Sequence, residues 1–438
     1  MNKNIILVAG FLFCQLVGAT QTSSTLKIES LESLWKTAIE NNSTQKVYAL
    51  KKQQASIDYK TSKSYIYPQI GASFSGQDNL KLPTTPVPGE LFGQNGKTMY
   101  LQFGKQYTYN AGFTTSKNLF DWQQNFQSKI ARENIILINA QQSGYEQTLK
   151  THIAQYYFTV LVANASVDIA RKDLMLADSI VKITAQRFEE GLVDAAMVNQ
   201  SLINYNNVKQ NVFQSEDLQN QALHNIKALA GLTVETTLDI QSSRKFEALY
   251  DTGFIAVGQD KNLLVYPTNI TISELQRKTV HAGLYPRLSL YSYFGYQQFR
   301  KDFGMSFSNE AWIDYRYIGI NMSVPIFTGF ANKNRLRSAA VQKKIAEEQY
   351  KAAAGQSKID DEALKDNYKN YLSIVNSSRN IFELYGKNLD LSEQKFKEGL
   401  LSIDSYLKTF EDYLHAENAY FNNLSNLLLV QASVSARK

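Results

Sequence analysis

The stretch from Asp121 to Phe188 contains no proline and a single glycine, Gly144. From Leu149 onward its stripe positions are Leu149, Ile153, Tyr156, Val160, Ala163, Val167, Ala170, Leu174, Ala177, Val181, Thr184 and Phe188. The steps alternate four and three, and Thr184 is the one clearly polar member. This is a sustained 3.5-residue period, the pattern of helices that wind around neighbours. A helix of about 65 residues, rising 1.5 Å per residue, is about 100 Å long. A compact soluble domain has no room for such a rod, so the function must require one.

Long unbroken helices suit a chain with only 7 Pro in 438 residues. Its 26 Tyr and 23 Phe suit either a large core or a membrane-embedded β surface with aromatic girdles. The formal charge of +6 is modest, and Lys and Arg are dispersed, so no nucleic-acid face is expected. At the N-terminus, Lys3, an apolar run from Ile5 to Leu16 and the small residues Gly18 and Ala19 predict a secretory signal peptide over residues 1–19. The one cysteine, Cys14, would leave with it, so neither a disulfide nor a thiolate site is expected. No other segment carries 18 consecutive apolar residues, and no transmembrane helix is expected.

Two repeats are expected, over 20–230 and 271–438, with an irregular segment at 231–270. The first opens with a helix from Leu31 to about Tyr65, capped by Ser30 and ended at Tyr67-Pro68. Strands follow at about 69–76 and 99–118, separated by a Pro-containing loop over 77–97. In the second of these strands Leu101, Phe103, Tyr107, Tyr109, Ala111 and Phe113 are expected to face one way, and Thr108, Asn110, Gly112 and Thr114 the other. Asp121 and Gln124 make a capping-box-like start for the long helix, about 121–190. Gly191 suits its C-cap, and Asp194 a cap for the next helix, about 195–229. The irregular segment reads as strand-like at Leu263–Tyr266. Thr271 and Glu274 then predict a capping box, with Pro267 limiting the helix, which ends at Tyr285-Pro286. Strands at about 287–299 and 312–324, a long helix at about 329–397 and a last helix at about 402–433 complete the chain. Gly191 and Gly399 lie 208 residues apart, and Phe120 and Phe327 lie 207 apart. The order helix, two strands, long helix, turn, helix occurs twice, which predicts an internal duplication.

Four strands per chain cannot close a membrane barrel, which needs at least about eight. An open sheet in lipid leaves its edge groups unsatisfied. Membrane-embedded strands would therefore have to be shared between copies, and three copies give about twelve strands. The helices would continue as a tube around an aqueous interior. The alternative is a secreted or periplasmic structural coiled coil with a small β cap and no channel. A periplasmic adaptor is a further alternative, but it normally has one helical hairpin and lacks amphipathic membrane strands.

The ordered set of motifs resembles the TolC-type outer membrane efflux family, the outer membrane factors. It comprises Tyr67-Pro68-Gln69-Ile70, Tyr285-Pro286-Arg287-Leu288, Val324-Pro325-Ile326-Phe327-Thr328-Gly329, and two turns. The turns are Arg187-Phe188-Glu189-Glu190-Gly191 and Lys395-Phe396-Lys397-Glu398-Gly399. The resemblance implies a mainly α homotrimer in which an α-helical barrel continues into a twelve-stranded β-barrel set in outer membrane lipid. It implies a passive exit duct that works with a periplasmic adaptor protein and an inner-membrane pump of RND or ABC type, driven by protons or ATP. It places the two glycine turns at the periplasmic tip, where such channels close.

That similarity makes Phe188, Gly191, Asp194, Met197, Gln200, Phe396, Gly399, Asp404, Ser405 and Lys408 the candidate tip and gate residues. In family members two Asp rings stand six and nine positions after the second turn glycine. Here Ser405 and Lys408 stand there, with Met197 and Gln200 at the matching places in the first half, and Asp404 one position early. As simple chemistry, Asp194 and Asp404 are expected to cap helices, and Phe188 and Phe396 to pack the tip. The four histidines are dispersed, without metal-ligand spacing, so no catalytic, metal or cofactor site is expected.

Overall fold

The computed structural model describes residues 25–240, 250 and 256–437; the expected signal peptide and Cys14 lie outside them. Among the described residues no helix is long and apolar enough to cross a membrane. In chain order the first series comprises β1 (Thr25–Ile28), α1 (Leu31–Asn41), α2 (Ser43–Ser62), β2 (Gln69–Asp78), β3 (Thr84–Pro88), β4 (Thr98–Gln102), β5 (Tyr107–Phe120), α3 (Trp122–Glu189) and α4 (Ala195–Ala230). β6 (Thr237–Ile240) follows. The second series comprises α5 (Val265–Ala282), β7 (Arg287–Arg300), β8 (Ile313–Ser323), α6 (Ala331–Lys397) and α7 (Ile403–Ser435).

Several boundaries differ from the sequence-based expectation, each for a local reason. The first helix is two helices, because Asn42 interrupts it. Its Oδ1 accepts from the N–H of Thr44 and Gln45 (2.9 and 3.1 Å), capping α2, and its Nδ2 donates to the Leu229 carbonyl (2.8 Å). The expected loop over 77–97 carries β3, which pairs antiparallel with β4 as a separate two-stranded sheet. The expected strand over 99–118 is therefore two strands, β4 and β5, and between them Gly104 turns the chain at φ 112°.

The supposed strand-like piece at 263–266 is a 3-10 turn over Lys261–Leu264 that runs into α5, and α5 begins at Val265 rather than Thr271. Pro267 falls in the first turn, where a missing N–H breaks no intrahelical bond. Thr271 is interior and donates back to the Pro267 carbonyl (3.1 Å). Glu274 is likewise no cap: it accepts from Arg277 Nε and Nη2 (3.0 and 2.8 Å) and lies 3.5 Å from Lys343 of α6.

The chain divides into two compact units, and neither is a repeat. One takes Met1–Lys46, Glu146–Gln259 and Asp360–Lys438; the other takes Val47–Tyr145 and Asp260–Ile359. Each unit draws on both series.

The first unit is helical and is packed by the stripes. Leu149, Ile153, Val160, Ala163, Val167, Ala170, Ala177 and Thr184 of α3 are buried, as are Tyr368, Val375, Leu389 and Phe396 of α6. Ile403, Leu407, Phe410, Phe421, Leu424 and Leu428 of α7 are buried as well. The same unit holds the small parallel pair β1–β6, in register from Thr25↔Thr237 to Ile28↔Ile240. Trp35 Nε1 donates to the Lys150 carbonyl beside it (2.9 Å).

The second unit holds an antiparallel sheet in the order β2-β5-β7-β8. β2 and β8 are its two open edges. Burial within one chain is slight here: every residue of β2 is exposed, and all of β8 except Gly319.

Candidate functional site

At the end of α3, Gly191 adopts φ 72°, the left-handed conformation that a side chain resists. Its N–H bonds to the Phe188 carbonyl (3.0 Å), and Leu192 N–H reaches the Arg187 carbonyl (2.8 Å). These two bonds are a Schellman motif and satisfy carbonyls that the helix end would leave open. At the end of α6 the same pattern recurs. Gly399 has φ 74°, with Gly399 N–H on Phe396 (3.1 Å) and Leu400 N–H on Lys395 (2.8 Å).

The following helices start differently. Asp194 caps α4, its Oδ1 accepting from Met197 N–H (3.0 Å). Asp404 does not cap α7. Ser402 holds that position and accepts from Ser405 N–H (3.3 Å), which leaves Asp404 exposed in the first turn. There its charge is favoured by the helix dipole.

The two phenylalanines also part company. Phe396 is 4% exposed and stacks on Tyr406 with centroids 5.1 Å apart, and the Arg187 guanidinium lies 4.2 Å from its ring centre. Phe188 is 48% exposed, so it does not pack as expected. The cluster around Phe396 contains Ala177, Ile180, Val208, Leu389, Ile403, Leu407 and Phe410, with Met197 packed against it. Gln200 is half-buried and donates to Asn204 (3.1 Å); Ser405 and Lys408 are exposed on α7. Leu192 and Leu400, which follow the two turn glycines, are both exposed. Above the turns, a groove of 260 Å³ is lined largely by amides, among them Asn204, Asn207, Asn211 and Asn418. Amides present donors and acceptors to water without fixed charge.

In the other unit, the register fixes which strand residues share a face. Ile70, Phe74, Phe113, Leu290, Phe294, Ile318 and Ile320 fall on one face. That face is mainly apolar, with Ile70, Phe74, Phe113, Phe294, Ile318 and Ile320 exposed on it, and Thr115, Lys117 and Ser292 among its polar members. An open groove of 690 Å³ crosses it between Phe74, Phe113 and Phe294. Arg316 also lies on this face, with Nε and Nη2 each 2.7 Å from the Asp314 carboxylate.

The opposite face is small and polar on β2 and β5, through Gly71, Ser73, Ser75, Asn110, Gly112 and Thr114. On β7 and β8 it is not: Tyr291, Tyr293, Tyr315 and Tyr317 stand there. Among the described residues no group of three or more His, Cys, Asp or Glu side chains is placed to hold a metal ion.

A sheet with an exposed apolar face and two open edges is the kind of surface that lipid or further copies of a chain cover, and the same chain carries helices of 68 and 67 residues. The model of the outer membrane efflux protein family matches residues 34–232. The outer membrane protein TolC of Vibrio cholerae is 22% identical over 415 residues, which cover 92% of this chain and 88% of that one. The fold is similar to the CmeC outer membrane channel of Campylobacter jejuni, with TM-score 0.75 at 15% identity over 100% of this chain and 93% of that one. It is similar also to the open MtrE channel of Neisseria gonorrhoeae, with TM-score 0.71 at 16% identity over 93% and 88% of the two chains. The chain is thus similar to TolC-like outer membrane efflux proteins in sequence over most of its length and to outer membrane channels in fold. The Campylobacter and Neisseria proteins are outer membrane channels. Their fold combines an α-helical barrel with a membrane β domain.

Proposed function

We propose that three copies of this chain share one twelve-stranded barrel and form a passive exit duct from the periplasm. The observation that carries this reading is the open four-stranded sheet: β2 and β8 are unpaired edges on a sheet with an exposed apolar face. In hydrocarbon each unpaired backbone group costs several kcal/mol, and pairing β8 of one copy with β2 of the next removes the edges. The apolar face then meets lipid and the face carrying Ser73, Ser75 and Asn110 lines water. Energy comes from an inner-membrane pump of RND or ABC type, through a periplasmic adaptor that meets the helical turns. Exposed Phe188, Leu192 and Leu400 supply an apolar rim for that contact.

Fractionated membranes, with the protein run unboiled on a sizing gel, test the reading. A heat-labile trimer in the outer membrane fraction is expected; a soluble monomer overturns it. For the gate, Asp404 is the exposed carboxylate nearest the family's acidic position. Asp404→Ala is expected to reduce cation preference in planar bilayers. If conductance and selectivity are unchanged, Asp404 serves only the helix dipole.

A further inference from the structure

The tyrosines on the face opposite lipid are more than the fold requires. Tyr291 and Tyr293 of β7 share that face with Tyr315 and Tyr317 of β8. Ring centroids are 5.8 Å apart for Tyr293–Tyr317, stacked, and 5.7 Å for Tyr293–Tyr315. Tyr291–Tyr317 and Tyr315–Tyr317 meet edge to face at 6.0 and 5.5 Å. Tyr293 is 6% exposed and lies across glycines: a Cβ on Gly112 or Gly295 would come within 2.8 or 2.9 Å of its ring end. Tyr291 covers Gly319 in the same way, at 2.6 Å. Aromatic cover of strand glycines is a structural role, and it accounts for these two rings.

That role does not account for Tyr315 and Tyr317. Each keeps 43% of its surface exposed. The same face carries no charged side chain from Ser289 to Gln297 on β7, from Tyr315 to Ser323 on β8, or along β2 and β5. The Tyr293 hydroxyl, beneath the cluster, is buried without a hydrogen-bond partner. The wall therefore offers ring faces and hydroxyls but no fixed charge. Such a surface selects for flat, polarisable molecules, and cations gain from the ring quadrupole.

We propose that Tyr315 and Tyr317, backed by Tyr293, form a stacking site on the channel wall for planar aromatic molecules, uncharged or cationic. The site rests on the duct reading, which puts this face in the lumen. Contacts of this kind are weak one ring at a time, so a bound molecule is delayed rather than trapped.

The test is equilibrium binding of 9-aminoacridine, a planar monocation, to the full-length protein in detergent. Fluorescence anisotropy reports it, with the micelle-only signal subtracted. Saturable binding is expected. The pair Tyr315→Leu and Tyr317→Leu should weaken it about tenfold, and the pair Tyr315→Phe and Tyr317→Phe should keep it. Tetrapropylammonium, a cation without a flat face, should not displace the dye. Absence of saturable binding, unchanged affinity in the leucine pair, or displacement by tetrapropylammonium overturns the proposal. Where the leucine pair does not assemble, Tyr317→Leu alone carries the test with the same criteria. The unboiled gel reports assembly separately: a monomeric wild type is a failure of the duct, whereas an intact trimer that ignores the dye is a failure of the wall.

Discussion

Asp173 of α3 and Glu417 of α7 are both buried in the helical unit. Asp173 Oδ2 and Glu417 Oε2 are buried without a hydrogen-bond partner, and each carboxyl group acts on the other's charge. Two ionised carboxylates this buried would each lose hydration and repel the other, so the pair keeps one proton. Burial raises both groups, and Glu417 is pushed up to about 9, first by burial and then by Asp173. The Tyr413 hydroxyl is itself raised by burial and by both acids; Lys172 acts the other way on Asp173.

The sign follows from linkage. The folded state holds a proton that the unfolded chain releases above its ordinary value of 4.5. The pair's stabilisation is complete below about 4.5 and is lost as pH rises through about 9. Melting of the detergent-solubilised protein should fall by several degrees between pH 6 and pH 9, and Glu417→Gln should flatten that slope. An equal slope in the variant would remove the shared proton from the account. The sequence does not mark this pair. Asp173 sits between stripe positions Ala170 and Leu174, and Glu417 in the polar-looking run His415-Ala416-Glu417-Asn418. Only the approach of α7 to α3 makes them neighbours.

At the scale of elements, the two turns were plain in the sequence, because glycine after a long periodic run has a single physical meaning: a left-handed residue closing a helix. No heavy atom lies within 4 Å of a Cβ built on Gly191 or Gly399. Substitution there meets no clash, so its cost is backbone strain alone. Gly399→Ala should destabilise by about 1–2 kcal/mol, and Gly399→Asn by less, because asparagine tolerates this conformation. Thermal melts of the two variants side by side check the ordering; equal losses would mean the strain lies elsewhere. The caps beyond the turns were less legible. Ser402 and Asp404 both suit a helix start, and one residue of phase decides which of them caps.

The break at Asn42 was hidden for a related reason. Asparagine within a helical pattern is unremarkable until its side chain finds both Thr44 N–H and the Leu229 carbonyl. β1 and β6 have four residues each and pair across more than 200 positions, so neither carries a local period long enough to read. On β7, Tyr291, Tyr293, Phe294 and Tyr296 put aromatic residues on both parities. The alternation that identifies a lipid face is then lost, and only the register with Gly112 and Gly319 separates the two tyrosine roles.

At the scale of the molecule, the duplicated series delivers two strands from each half to one sheet, and the assembly depends on that sheet keeping its faces distinct. Phe113 and Thr114 provide the sharpest comparison. They are adjacent, near the middle of β5, and both exposed, but Phe113 pairs with Phe294 on the apolar face and Thr114 with Tyr293 on the other. A lysine at mid-depth on a lipid-facing position costs about 2–4 kcal/mol, whereas one facing an aqueous lumen costs little. Three copies multiply the difference, because every protomer carries the change into the same barrel. Phe113→Lys should therefore abolish most of the heat-labile oligomer in the outer membrane fraction. Thr114→Lys, which loses only its 3.3 Å bond to the Gly71 carbonyl, should leave most of it in place. Thr114→Lys should also shift the open channel toward anions, since three added cations would line a stretch of wall that carries no charged side chain from Ser289 to Gln297. If the two lysines depleted the oligomer equally, or if Thr114→Lys did so more strongly, the assignment of lipid and lumen faces would be reversed or void. The duct reading and the tyrosine wall would then fall with it.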